Sequence, residues 1–210
     1  MAAGLRAGRT GLASPPMISF SAVLLAAGRS TRMGRDKALL DVDGRPLWER
    51  QRDVLLRAGA EEIFLSARPD QAWARTARGF TAVLHDSSPD CGPISGITAA
   101  LERSTRTHVA ALAIDLPHVP PAWFATLCAE CDSGHGAVGR RGDFFEPLAA
   151  IYPRTAMPLA WEALAGGRYA LQDLLRAAVA AGVMHERPLA PGEAAWFRNW
   201  NSPADAAVRD

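Results

Sequence analysis

The chain has 210 residues, 49% of them apolar and 21% charged, with a formal net charge of +1. That length holds one α/β domain with a substantial core, and a second domain is not expected. The near-neutral balance excludes a broad cationic face for nucleic acid or a membrane surface, and no stretch reaches the roughly 18 apolar residues of a transmembrane helix.

Residues 1–17, MAAGLRAGRTGLASPPM, are rich in Arg, Gly, Pro and small residues and lack the apolar centre of a secretory signal. They read as a disordered extension, or as residues upstream of a start near Met17, and residues 18–210 as a single domain. Ala22 to Leu25 is a short continuous apolar run, the mark of a strand covered on both faces. It opens into a loop carrying Gly28, Gly34, Arg29, Arg32, Arg35 and Lys37. A turn at Asp43–Gly44 precedes a helix entered at Pro46, with Leu47, Val54, Leu55 and Ala58 on its apolar face and Gly59 at its end. Glu61–Ala67 predicts a second strand, followed by a polar helix. TAVLHD predicts a third strand ending at Asp86. The turn-rich SSPDCGPISG segment enters a helix near Pro93. His108–Pro117 reads as a fourth buried strand with Asp115 at its end, and a helix follows from Pro121 to Cys131.

Up to this point strands and helices alternate, the pattern of βαβ units with a parallel sheet. GAVGRRGDFFEPLAAIY then predicts two strands about a turn at Gly142–Asp143, an antiparallel insertion. Helices are expected at Ala156–Leu164 and Tyr169–Ala181, a last strand in VMHERPL, and a helix capped by Ser202 with Pro203 at its first position. The fold class is α/β, a Rossmann-like three-layer α/β/α domain. Cys91, Cys128 and Cys131 form no disulfide framework and fit a reducing compartment, so the cytoplasm is the expected location. Cys128 and Cys131 lack a second metal-binding pair and read as small residues on a helix face. The five histidines, at 85, 108, 118, 135 and 185, make no HExxH pattern.

A buried strand that opens into glycines and fixed cations suits a phosphate site, because small residues admit backbone N–H groups to phosphate oxygens and the cations neutralise charge. It is neither GxxxxGK[ST] nor GxGxxG, so a P-loop and a nicotinamide dehydrogenase are disfavoured. A carboxylate at a strand's C-terminal end faces the ligand crevice of an α/β sheet, and Mg²⁺ takes one or two carboxylates plus substrate phosphates. Asp115 suits that role and, equally, that of a turn cap. Asp86 suits a ligand contact or an Asx-turn, and Glu146 a ligand contact or a strand edge. Asn199 and Asn201 suit an acceptor site or turn duty.

The run Leu25 to Lys37, LAAGRSTRMGRDK, resembles the LAxGxSxRMGxDK signature of the molybdenum cofactor guanylyltransferase (MobA-like) family of nucleotidyltransferases. AIDLP, the Asp86–GPISG pair, Glu146-Pro147-Leu148 and RNWNSP resemble further family segments in the family's order. The resemblance implies the nucleotide-diphospho-sugar transferase type of fold, and a Mg²⁺-dependent enzyme that moves GMP from GTP to molybdopterin and releases pyrophosphate. It implies catalytic roles for Lys37, Arg32 and Asp115, with Asp115 holding the metal. Nucleotide contacts are implied at Leu25, Ala26, Ala27, Gly28, Arg32, Gly34, Lys37, Asp86, Gly92 and Asp115, and acceptor contacts at Glu146, Asn199 and Asn201. GTP and molybdopterin are the implied partners, with transient contact to proteins of molybdenum cofactor biosynthesis or to acceptor proteins. The family's guanylyltransferases read LAGG where this chain reads LAAG, which also occurs in cytidylyltransferases. A cytidylyltransferase acting on molybdopterin or another phosphorylated acceptor therefore stays open, and so, from a different class, does a nucleotide-binding regulator without turnover. Arg68 stands near where the family has a nucleotide-binding asparagine, and that contact is not carried over.

Overall fold

The computed structural model describes residues 18–28, 36–85 and 91–200. The expected N-terminal extension and the helix after Ser202 lie outside them, as do Arg32, Gly34, Asp86 and Asn201.

β1 (Phe20–Leu25) is buried along its whole length. A two-stranded ribbon, β2 (Asp41–Val42) and β3 (Arg45–Pro46), leads into α1 (Leu47–Arg57). That helix starts after Pro46 and ends where Gly59 takes φ +95°, the left-handed conformation that lets Ala60 N–H reach back to Leu55 O. β4 (Ile63–Ser66), β5 (Ala82–Leu84), α2 (Pro93–Arg103), β6 (His108–Ala113) and α3 (Pro121–Glu130) follow. Next come β7 (Gly136–Arg141), β8 (Phe144–Phe145), β9 (Ala149–Pro153), α4 (Met157–Ala165), α5 (Leu171–Ala180) and β10 (Met184–Pro188).

The main sheet runs β10-β7-β9-β6-β1-β4-β5, with β8 paired to β7. β4, β1, β5 and β6 are mutually parallel, as the alternating pattern requires. β9 is antiparallel to β6 and β7, and β10 is parallel to β7. The predicted two-strand insertion is thus three strands, of which the first and third lie in the main strand order. Side chains of β1 alternate between two cores. Ala22 and Leu24 pack with α1 and α3, and Val23 and Leu25 with α2, α4 and α5. This is the three-layer α/β/α arrangement expected for a sheet covered on both faces.

Two expectations need correction. The segment after β4 forms a short 3-10 turn, Ala72–Arg75, instead of a helix. Its work is to seat Trp73 against Trp48, ring centroids 6.1 Å apart, which needs only one turn. The fourth strand stops at Ala113, short of Asp115. Ile114 N–H makes the last ladder bond, to Leu25 O, and Leu116 N–H folds back to Ala113 O, so Asp115 sits on a turn just beyond the strand.

Candidate functional site

The chain runs from β1 to β4 and β5 on one side, then returns to place β6 on the other. The strand order therefore reverses between β1 and β6. Beyond their carboxyl ends lies the crevice in which open α/β sheets bind ligands. Lys37 and Asp115 meet there. Lys37 opens a 3-10 turn, Lys37–Leu39, at the far end of the loop that follows β1. Its Nζ lies 3.4 Å from Asp115 Oδ2, and the two side chains are 13% and 23% exposed. That partial exposure leaves the pair accessible to a ligand.

The backbone holding this pair is itself fastened. Buried Gln51 of α1 donates from Nε2 to Ala113 O (3.2 Å) and to Leu116 O (3.0 Å), gripping the Asp115 turn on both sides. Trp200 N–H donates to Asp115 O (3.0 Å), which brings the chain at Asn199 alongside. Asn199 itself is exposed. Ala113 N–H donates to Leu148 O, so the Glu146-Pro147-Leu148 segment abuts the same strand end. The Glu146 side chain is only 14% exposed. Burial pushes its carboxyl above the ordinary range, against the pull of Arg141 at 3.5 Å.

Leu25 and Ala26 are buried, Ala27 is half-buried and Gly28 exposed, so the backbone emerges at the crevice. Among the described residues, a Cβ on Gly28 would meet nothing within 4 Å. Gly92 takes φ +70° at the N-terminus of α2, where a side chain would be strained. Gly96, one turn on, allows the helix to lie close to the sheet. A Cβ there would stand 2.5 Å from Ser66 Oγ and 2.9 Å from Leu25 Cδ2. Lys37, Asp115, Leu25 to Gly28, Glu146 and Asn199 are thus assembled about one edge of the sheet.

Three residues that hold the loop were not legible from the motifs. Arg68 Nη1 donates to Ala27 O (2.8 Å) and Gly28 O (2.7 Å), gripping the loop where it leaves β1. Gln71 Nε2 donates to Ala26 O (3.0 Å) and Asp36 Oδ2 (2.7 Å), bridging the loop's two ends, and its Oε1 accepts from Arg68 N–H. Trp73 Nε1 donates to the same Asp36 oxygen (2.7 Å). Asp36 in turn caps the Lys37–Leu39 turn through Ala38 N–H. The one signal in the sequence was Arg68 in place of an expected asparagine. Only the folded chain shows that it faces the loop carbonyls.

Cys128 and Cys131 are buried at the end of α3, and burial raises both thiols, that of Cys128 to about 11. That fits packing and not nucleophilic chemistry. No helix among the described residues is long and apolar enough to cross a membrane.

Comparison with known proteins adds to this geometry. A family model described as a MobA-like NTP transferase domain matches residues 22–183. A protein of Opitutus terrae named probable molybdenum cofactor guanylyltransferase is 39% identical over 191 residues, covering 89% of this chain and 93% of its own. The molybdenum cofactor guanylyltransferase of Pseudomonas putida strain GB-1 is 32% identical over 163 residues, covering 76% and 84%. Among solved structures, the molybdopterin-guanine dinucleotide biosynthesis protein A of Archaeoglobus fulgidus superposes with a TM-score of 0.69 over 89% of this chain and 95% of that one, at 24% identity.

Proposed function

Because this chain belongs to the MobA-like NTP transferase domain family, we propose that it transfers GMP from GTP to molybdopterin, forming molybdopterin guanine dinucleotide and pyrophosphate. The observation that carries the reading is the Lys37–Asp115 approach at the reversal of strand order. A cation and a carboxylate 78 positions apart in the sequence converge where an α/β sheet takes its nucleotide.

In the reaction, a phosphate oxygen of molybdopterin attacks the α-phosphorus of GTP. The new P–O bond forms as the bond from the α-phosphorus to the α–β bridging oxygen breaks, and the electron pair leaves with pyrophosphate. Such transfer calls for positioning and charge stabilisation, with no covalent protein nucleophile. Lys37 is suited to bear on the phosphate charge as a point cation, and Arg32 as a bidentate donor. The exposed backbone of Gly28 offers an N–H to a phosphate oxygen. Asp86 and Gly92 are proposed to border the nucleotide, and Glu146, Asn199 and Asn201 the acceptor. Gln51 keeps the Asp115 turn in place while these groups act.

The donor set also suits Mg²⁺. Asp115 presents one partly exposed carboxylate at the crevice, matching an ion that uses few protein carboxylates and takes its other ligands from phosphates and water. Asp115 would hold the ion, which supplies neutralisation of triphosphate charge.

Ala27, in LAAG, favours a second reading, a cytidylyltransferase. Thermal stabilisation by GTP, CTP, ATP and UTP, each with and without Mg²⁺, separates the two, followed by pyrophosphate release with molybdopterin. Selective Mg²⁺-enhanced stabilisation by GTP with turnover is the expected result. Selectivity for CTP would install the second reading, and binding without pyrophosphate release would make the protein a regulator.

A further inference from the structure

The sheet has a second edge, formed by the amino-terminal ends of β6, β7 and β10. It lies a strand length from the crevice, about 20 Å for six residues. His135 immediately precedes β7, and His185 is the second residue of β10, the edge strand. The parallel register sets Met184 beside Gly136 and His185 beside Ala137, so the two imidazoles share this corner. Their ring centroids are 5.0 Å apart. Asp132 follows α3. Its Oδ1 accepts from Gly134 N–H (2.9 Å), His135 N–H (3.1 Å) and His135 Nδ1 (2.6 Å). Its Oδ2 stands 4.0 Å from His185 Nε2.

A hydrogen bond accounts for His135 and Asp132 but not for His185, whose nitrogen faces the carboxylate from beyond hydrogen-bond reach. One ligand atom from each of the three side chains lies within 4.8 Å of the other two. Tetrahedral coordination with bonds near 2.1 Å places ligand atoms about 3.4 Å apart. The side chains of Asp132, His135 and His185 are 58%, 38% and 48% exposed, so closing that difference calls for side-chain rotation and leaves Asp132 Oδ2 to serve as the ligand while Oδ1 keeps its backbone bonds. We propose that Asp132, His135 and His185 form a site for one divalent transition-metal ion, Zn²⁺ or its imidazole-preferring neighbours, that ties the edge strand β10 to the loop after α3. Two imidazoles and a carboxylate suit Zn²⁺, Ni²⁺ or Cu²⁺, whereas Mg²⁺ selects oxygen ligands. The site therefore differs in chemistry as well as in place from the crevice at Asp115. Three protein ligands leave a position for water, so the site is open in the manner of an exposed clip.

The test uses the full, untagged chain, freed of metal with a chelator and kept in excess Mg²⁺. Zn²⁺ is titrated by calorimetry, and Co²⁺ is followed by its visible absorption. One equivalent is expected to bind, and Tm to rise by about 5–10 °C at Zn²⁺ one hundred times Kd. His185→Ala and Asp132→Asn should each lose the bound equivalent and the Tm rise, while Asp115→Ala keeps both. Absence of saturable binding would overturn the proposal. So would binding that survives His185→Ala, or that disappears with Asp115→Ala.

Discussion

Replacing Arg68 by alanine tests whether the grip on the loop carbonyls serves catalysis. Two hydrogen bonds from a charged donor disappear, to Ala27 O and Gly28 O. Fully buried, each would contribute about 1.5–3 kcal/mol. The Arg68 side chain is 26% exposed, so water replaces part of what is lost, and about 1–3 kcal/mol remains for the pair. If that energy holds the loop in its productive conformation, the equilibrium constant favouring that conformation falls by about 5- to 150-fold, since each 1.4 kcal/mol is a factor of ten, and the competent fraction falls by up to that factor. Steady-state pyrophosphate release with GTP and molybdopterin reads this as a loss in kcat/KM. Tm should move little if the loop opens locally without the rest of the fold, and by at most about 2–12 °C if the whole 1–3 kcal/mol is lost from global stability. Arg68→Lys should recover only part of the rate, because a point ammonium cannot fork across two carbonyls. A kcat/KM within about twofold of wild type for Arg68→Ala would refute the reasoning and reduce the contact to surface packing.

Asp115→Ala should abolish Mg²⁺-dependent turnover while the fold survives, as circular dichroism and a thermal melt would show; near wild-type rate would remove Asp115 from the metal site. Lys37→Ala should cost on the order of 10² or more in kcat, the scale for loss of one preorganised charge-stabilising group, and a change within about twofold would exclude it. Gly136→Ala should lower Tm by about 6–12 °C, from roughly 3 kcal/mol of overpacking, because its Cβ would run into the carbonyl oxygen of Ile151 in β9. Arg187, through two hydrogen bonds at 2.6 and 2.9 Å, and Ala190 N–H at 2.7 Å hold the buried Glu193 carboxyl below the usual range. A lowered folded value makes this contribution fully present above the unfolded carboxyl's value and lost as pH falls through the folded one. Urea unfolding compared at about pH 7 and pH 3 should therefore show Glu193→Gln less stable than wild type at neutral pH, with the gap closing in acid. An unchanged gap would deny the pair its role.

The parallel half of the fold was readable because each element carries a local signal. Leu24 and its neighbours form an unbroken apolar run, Gly59 must take a positive φ, and Pro93 starts a helix without needing an N–H partner. Strand ends were less so. Where β6 stops depends on where its partner β1 ends, at Leu25, nearly ninety positions away. The insertion was under-counted because the second expected strand, FFEPLAAIY, breaks at residues 146–148 into β8, paired with β7, and β9, paired with β6 and β7.

The sequence alone determined most of the alternation of strands and helices up to α3 and the family, through motifs spaced within a dozen or so residues, because backbone preference and the LAxGxSxRMGxDK pattern are properties of neighbours along the chain. It could not place Arg68 on the Ala27 and Gly28 carbonyls, seat Gln51 across the Asp115 turn, or gather Asp132, His135 and His185 at one corner. Those arrangements depend on which strands lie side by side and in what register. Long-range sheet pairing sets both, and no short stretch of sequence records them.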